Sequence, residues 1–194
     1  EAEGLEPRRA LDLACGEGYG SDVLAGSDVL VNASSYRLNL DVMRACIDAG
    51  CHYIDLGGLY YTTIEQLKLS GEFERNGLLA MLGMGSAPGK TNVMATAALD
   101  ELGGKADHIM ISAGGRDLGP ERGFAPPYSV QTIVDELTLK PIVLREGEPV
   151  EIEPMTAAGV AVFPPPIGEA PTIYTLHSEL ASFGHSFECP EVAF

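Results

Sequence analysis

Asn39-Leu-Asp-Val-Met-Arg-Ala-Cys-Ile-Asp-Ala-Gly50-Cys-His52-Tyr-Ile-Asp-Leu-Gly-Gly58 reads as a helix, a stop, a strand and a turn, in that order. Leu40, Met43, Cys46 and Ile47 recur at helical spacing. Asn39 stands where an N-cap is expected, and Asp41 lies in the first turn, where the helix dipole favours an anion. Gly50 supplies the stop, because glycine enters the left-handed region without penalty. His52 to Leu56 is a short run of strand-forming residues closed by paired glycines, as a buried parallel strand usually is.

The same pattern extends in both directions. Upstream, Arg9 to Ala14 and Asp28 to Ala33 are short apolar runs followed by turn residues. Downstream, Thr62 with Glu65 reads as a capping box opening a helix through about Arg75, and Asn76-Gly77 closes it. Leu78 to Leu82 predicts a further buried strand. The loop 83–90 follows, and Thr91 or Asn92 is placed to cap a helix whose Val93, Met94, Ala97 and Ala98 share one side. Strands alternating with helices over short connections predict an α/β fold, a truncated Rossmann-like doubly wound parallel sheet with helices on both faces. After the strand-like run 106–112 the rhythm changes. A helix from Tyr128 to about Leu139 precedes short β segments at 141–145, 149–153 and 161–163, broken by Gly and Pro. Residues 1–114 are therefore read as one domain and 115–194 as a second, antiparallel-rich α+β domain, with the stretch 119–127 as an irregular entry.

Composition restricts the partners. A formal charge of −16 opposes nucleic-acid phosphates and anionic lipid, whose neutralisation is the main source of affinity for such surfaces. A small molecule is the expected partner, and neither nucleic acid nor membrane is expected. Arg37, Lys90, Arg116, Arg122 and Arg145 are the basic groups available to an anionic ligand. Cys15, Cys46, Cys51 and Cys189 form no CxxC pair, which suits reduced thiols and a cytoplasmic protein. No apolar run reaches the roughly 20 residues of a membrane span, and the N-terminus lacks the shape of a signal peptide. The chain starts without Met and stops in apolar sequence, so both ends read as cuts.

Two glycine motifs imitate other families. Leu11-Asp-Leu-Ala-Cys-Gly-Glu-Gly-Tyr-Gly20 resembles the first motif of class I S-adenosylmethionine methyltransferases. That fold then needs a full helix and a strand ending in an acidic residue, whereas only residues 21–27 intervene and the next strand ends in Asn32. Gly85-Ser-Ala-Pro-Gly-Lys-Thr91 imitates a phosphate-binding P-loop. Its first glycine is misplaced by one residue, and Pro88 removes an amide from the loop. A glycine turn opening onto a helix N-terminus at the end of a parallel strand is still where such sheets bind polar ligand groups.

Taken together and in order, Asp28 to Tyr36, Asn39 to Gly50, His52 to Gly58 and Gly83 to Asn92 resemble the saccharopine dehydrogenase and lysine 6-dehydrogenase family. The likeness continues through Ser112-Ala-Gly-Gly115 and, more loosely, through Tyr128-Ser129 and Thr175 to Glu179, covering roughly Leu11 to the end. In that family a first strand with its glycine loop comes earlier. Leu11 to Gly20 then corresponds to the third Rossmann strand and its turn, and the 194 residues alone are expected to bind cofactor poorly.

The resemblance implies an NAD(P)-dependent oxidoreductase acting on the CH–NH group of an amino acid, with NAD or NADP as cofactor and a homodimer as the assembly. It places Asn32, Ala33, Ser34, Asp55, Gly57, Gly85, Ser86 and Ala87 at the cofactor. It places Tyr36, Pro88, Gly89 and Asn92 at the substrate. Saccharopine reductases usually carry Asp at the position of Ala87, so a lysine 6-dehydrogenase-like activity on a smaller amine is the nearer likeness. From the chemistry of an amino-acid substrate, Arg116 or Arg145 is the expected carboxylate clamp, Tyr128 a hydrogen-bond donor, and His177 beside Glu179 a proton-transfer group. His52, His108 and His185 show no ligand spacing, and no metal site is expected. A methyltransferase and a non-catalytic dimerisation module are the alternatives.

Overall fold

Four strands, β1 (Ala10–Leu13), β2 (Val29–Asn32), β3 (His52–Asp55) and β4 (Ala80–Met81), lie side by side in chain order, all parallel. The structure, a computed structural model, describes residues 10–13, 24–119 and 126–194. The glycine cluster 16–20, Cys15, Arg9, Arg122 and most of the stretch 119–127 lie outside the described residues. The register pairs Val29 with His52 and Asn32 with Asp55, so β2 and β3 end level at one edge of the sheet. This is the truncated Rossmann-like sheet that the alternation predicted. Contacts divide the chain into two compact units, Glu1–Met94 and Ala95–Phe194.

Between β2 and β3 runs helix α1 (Asn39–Ala49), entered through a short 3₁₀ turn (Tyr36–Leu38). Gly50 ends it with φ 71°, its amide donating to Cys46 O and Ile47 O, as the sequence predicted. Its N-terminus departs from the prediction. Asn39 is the first helical residue rather than the cap, and its side chain is 1% exposed inside the unit. Buried polar partners compete better for that amide than the helix end does. The predicted single helix from Thr62 to Arg75 is two, α2 (Tyr60–Leu67) and α3 (Ser70–Arg75), and Thr62 caps neither. The break falls where Lys68 N bonds Glu65 O and Leu69 N bonds Gln66 O, a tightening that turns Leu69 and Phe73 into the core.

Right-handed crossovers between successive parallel strands put their helices on one face of a sheet. Burial follows that rule: Leu30, Asn32, Tyr53 and Asp55 are buried, while Val29, Val31, His52 and Ile54 are only partly covered. The opposite face is partly covered among the described residues. The core of this unit is Leu24, Leu30, Val42, Met43, Cys46, Cys51, Tyr53 and Phe73. Burial, with Cys51 beside it, pushes the Cys46 thiol up to about 12, so it stays protonated and packs as a small apolar group. The predicted buried strand at 78–82 shrinks to the two residues of β4, with Leu79 57% exposed, because its outer side pairs with no described strand. Helix α4 (Lys90–Glu101) begins before Thr91, and its Val93, Met94, Ala97 and Ala98 are exposed rather than packed.

The second unit holds a mixed sheet of β5 (His108–Met110), β10 (Glu191–Ala193), β6 (Ile142–Arg145) and β7 (Glu148–Glu151). Strand β5 pairs parallel to β10, and the other pairs are antiparallel. The run 106–112 thus contributes its strand to this sheet and not to the first. Glu146 and Gly147, at φ 54° and 81°, form the two-residue turn that suits a β-hairpin. Strands β8 (Ala157–Val162) and β9 (Glu169–Ile173) make a separate antiparallel ribbon. Helix α5 (Val130–Thr138) is capped by Ser129, whose hydroxyl accepts from Thr132 N, and α6 (Glu179–Ser186) packs on β6 and β10. No helix of the described residues is long and apolar enough to cross a membrane.

Leu30 is fully buried between α1 and the sheet, so Leu30→Ala should cost about 3 kcal/mol of stability through lost transfer energy and a cavity. Leu79→Ala should change stability by less than about 0.5 kcal/mol. The shift of the urea midpoint at constant slope measures both, and equal effects would contradict the one-faced core.

Candidate functional site

At the carboxyl edge of the first unit's sheet, the loops after β2, β3 and β4 are joined by buried polar side chains. Asn32, 2% exposed, accepts from Ser34 N at 3.1 Å and Ser34 Oγ at 2.5 Å. Its amide donates to Asn39 Oδ1 at 2.9 Å and to Tyr53 Oη at 3.1 Å. Asp55, 1% exposed, takes Gly57 N at 2.9 Å and Gly83 N at 2.7 Å on Oδ1. On Oδ2 it takes Gln66 Nε2 at 2.7 Å, Tyr53 Oη at 3.0 Å and Asn39 Nδ2 at 3.3 Å. Burial, reinforced by the Asp55 charge, holds the Tyr53 phenol far above its ordinary range, so it remains a donor.

The 83–89 loop is wound tightly over the end of β3. Pro88 is buried against two glycines: a Cβ on Gly57 would stand 2.5 Å from Pro88 Cδ, and one on Gly83 2.9 Å from Pro88 Cγ. A Cβ on Gly85 would run into Leu56 O, and one on Gly89 into Gly85 O. Gly57, Gly83 and Gly89 also have φ of 116°, 70° and 119°, a region side chains rarely enter. Gly89 N donates to Asn92 Oδ1 at 2.9 Å, so Asn92 reaches back to the start of α4. Ser86 is exposed at the loop tip, and Ala33, Ser34, Gly85 and Ala87 are half-buried. Tyr36 packs against Gly58, where an added Cβ would meet Tyr36 Cβ at 3.2 Å, with the Arg37 guanidinium 5.5 Å above its ring.

Of the residues predicted here, the structure gathers Asn32, Ser34, Asp55, Gly57, Gly85 and Pro88 at one sheet edge, but in unequal roles. The functional groups of Asn32 and Asp55 bind other parts of the unit, and Pro88, Gly89 and Asn92 shape the loop. Ala33, Ser34, Gly85, Ser86 and Ala87 present only small side chains and backbone at this edge. Sequence reading missed Asn39, Tyr53 and Gln66. Each sits inside a helical or strand pattern as an ordinary member, and only a polar residue on an otherwise apolar face could have marked it.

The second unit gathers a different chemistry. Tyr128 Oη donates to Glu136 Oε2 at 2.6 Å, and Glu136 Oε1 stands 3.8 Å from His177 Nε2. On the other side of the ring, His177 Nδ1 is 3.4 Å from Glu179 Oε2. The imidazole stacks on Phe194 with ring centres 3.5 Å apart and planes 14° from parallel. Glu179 is fully buried in the first turn of α6, where the helix dipole favours a carboxylate. Tyr128 is half exposed, yet the burial of its phenol end and the bond to Glu136 push its pKa up to about 12. Tyr128 and His177, both predicted, are thus linked through Glu136, which the sequence did not single out because it sits among ordinary helix formers.

Arg116 is exposed, and its Nη1 donates to Pro166 O at 3.0 Å; Arg145 is exposed at the end of β6. A cavity of about 240 Å³ lies in the same unit, lined by residues 110–115, by the β8–β9 ribbon and by Phe163, Thr175 and Phe194. Phe194 therefore borders the cavity on one hand and the His177 ring on the other. The free thiols Cys46, Cys51 and Cys189 are buried and take no part in either site.

Comparison with known proteins accords with this geometry. Residues 9–81 match the model of the saccharopine dehydrogenase NADP binding domain. The chain is similar to carboxyaminopropylagmatine dehydrogenase of Synechocystis sp., 29% identical over 167 residues, covering 81% of this chain and 40% of that protein. Its fold is similar to that of saccharopine dehydrogenase (L-Glu forming) from Saccharomyces cerevisiae, with a TM-score of 0.59 at 19% identity, covering 89% of this chain and 40% of that one. The chain thus spans less than half the length of these relatives. Over residues 9–81 the chain is similar to the saccharopine dehydrogenase NADP binding domain, and its fold is that of a saccharopine dehydrogenase.

Proposed function

We propose that the complete protein interconverts an amine and an imine on an amino-acid substrate, with NAD or NADP as the redox partner. The observation that carries this reading is the Tyr128–Glu136–His177–Glu179 cluster, which places an imidazole and a phenol beside two carboxylates. An amine gives up hydride from its carbon only when the nitrogen lone pair is free to form the C=N bond, so a base must first remove the ammonium proton. Imidazole is suited to that exchange near neutral pH, and its neighbours settle which nitrogen carries the proton. Here His177 has a carboxylate toward each ring nitrogen, and Phe194 holds the ring plane. Glu136 and Glu179 also suit a cationic amine, since a buried positive charge requires a negative partner.

The cofactor side of the reaction belongs to the first unit in this reading. Ala33, Ser34, Gly57, Gly85, Ser86 and Ala87 would line the nicotinamide dinucleotide, because glycines and small side chains let the backbone come close at the ends of parallel strands. The bound nicotinamide would supply hydride exchange, and the protein's part is orientation and proton handling. The name of the Synechocystis relative points to a substrate bearing both amino and carboxyl groups. Ala87, where saccharopine reductases usually carry Asp, favours a smaller amine than saccharopine, in the manner of a lysine 6-dehydrogenase. Tyr36 and Arg116 remain proposed substrate contacts. A homodimer and a cytoplasmic location complete the reading.

Two measurements test it. With NAD(P)-linked turnover of lysine and saccharopine as the assay, His177→Gln in the complete protein should lower kcat/KM roughly 100-fold or more, the usual worth of a general acid or base. Unchanged turnover would remove His177 from the chemistry. Spectrophotometric titration, with Tyr128→Phe as the subtraction control, should find the Tyr128 phenol near 12 in the wild type. In Glu136→Gln it should fall only part of the way, because burial, the larger cause, remains. An unmoved titration would break the first link of the chain.

A further inference from the structure

The geometry points to Asp55 as a positioning residue, which holds the loops after β2, β3 and β4 in register without itself touching a ligand. A carboxylate is only an acceptor, with two oxygens and about four lone-pair sites. Asp55 receives Gly57 N, Gly83 N, Gln66 Nε2, Tyr53 Oη and Asn39 Nδ2, five donors at 2.7 to 3.3 Å, and is 1% exposed. Nothing is left of it for a ribose hydroxyl or a substrate ammonium. The division of labour between its oxygens is informative. Oδ1 takes only backbone amides, one from the loop after β3 and one from the loop after β4, and so sets the distance between those loops. Oδ2 takes only side chains, and through Tyr53 and Asn39 it reaches Asn32, which in turn holds Ser34 in the loop after β2.

Backbone around the carboxylate reinforces the same junction. Met84 N donates to Asp55 O at 2.8 Å, so both the side chain and the main chain of one residue fasten the start of the 83–89 loop. Pro88 then occupies the space that Cβ atoms on Gly57 and Gly83 would fill, and closes the far end of the loop over the same turn. The loop geometry stands on these contacts alone. Its consequence for cofactor affinity rests on the proposed nicotinamide reading.

Amide hydrogen exchange on this chain tests the loop geometry without any cofactor. In the wild type, Gly57, Gly83 and Met84 should be as protected as Tyr53 in β3; exchange at the rate of open loops would overturn the proposal. Asp55→Ala should speed exchange at Gly57 and Gly83 by at least about tenfold relative to Val143 and Leu144 in the second unit, the equivalent of a lost bond to a charged acceptor. Asp55→Asn keeps an oxygen for the two amides and should rescue most of that loss; an Asn variant no better than Ala would overturn the proposal. If Asp55→Ala unfolds the first unit, the wild-type and Asn measurements still decide. Titration of the complete protein with NADH and NADPH supplies the second arm. There Asp55→Ala should weaken binding at least about tenfold and Asp55→Asn should restore it. Loss of binding in Asp55→Asn with Gly57 and Gly83 still protected would place the carboxylate on the ligand and overturn the positioning role. A wild type that binds neither nucleotide yet shows the expected exchange pattern would refute the cofactor reading and leave the loop clamp standing.

Discussion

A carboxylate taken out of water at the end of a parallel strand must be met by donors or lose its charge, and the first unit is organised around meeting that demand at Asp55. The desolvation cost of such an ion is several kcal/mol even after relaxation, on the order of the stability of a whole domain. Hydrogen bonds to charged acceptors recover about twice what neutral ones do, and five of them converge here. Two come from backbone amides that lie far apart in sequence, in loops that no strand ladder holds together. The charge therefore does for the loops what the ladder does for the strands.

The glycines follow from that constraint. Gly57 N and Gly83 N are drawn to the same oxygen, and Pro88 packs against both turns so closely that neither can carry a side chain on that side. Pro88 fills the remaining space, and Gly85 and Gly89 let the loop cross over Leu56 and over itself. Seen this way, the 83–91 segment imitates a P-loop because both solve one steric problem, bringing backbone past backbone at a helix start. Its proline and its spacing belong to packing over β3, which is why the phosphate-loop spacing is not met.

Much of this was legible in the sequence, and the limits are physical. Strand and helix order could be read because apolar periodicity and terminal glycines such as Gly50 act locally. What failed were positions where a distant partner outbids a local preference. Asn39 looks like a cap, but a site offering Asn32, Asp55 and Gln66 draws its amide inward. Val93 and Met94 look like a core stripe, yet periodicity says only that one side is apolar and not that something covers it. The resemblance placed Asp55 at the cofactor, and its five internal donors lie on residues scattered along the chain. Only their count distinguishes a ligand contact from a positioning residue. Glu136 was invisible for a related reason: its meeting with His177 depends on where α5 is carried by the second unit's fold.

The two units differ in how they treat polar side chains, and the difference bears on the chemistry proposed for each. In the first, Asn32, Asn39, Gln66 and Asp55 are spent on one another, leaving small side chains and backbone as the surface offered to a ligand. That suits a cofactor that brings its own reactivity and asks chiefly for a fixed seat. In the second, an imidazole stands between two carboxylates, with a phenol at the end of the chain. With both carboxylates ionised, the trio carries two negative charges when the imidazole is neutral and one when it is protonated. Either state favours an arriving cation. In the proposed reading, the carboxylates that attract an amine are the groups that flank the imidazole taking its proton, so binding and proton removal share one device.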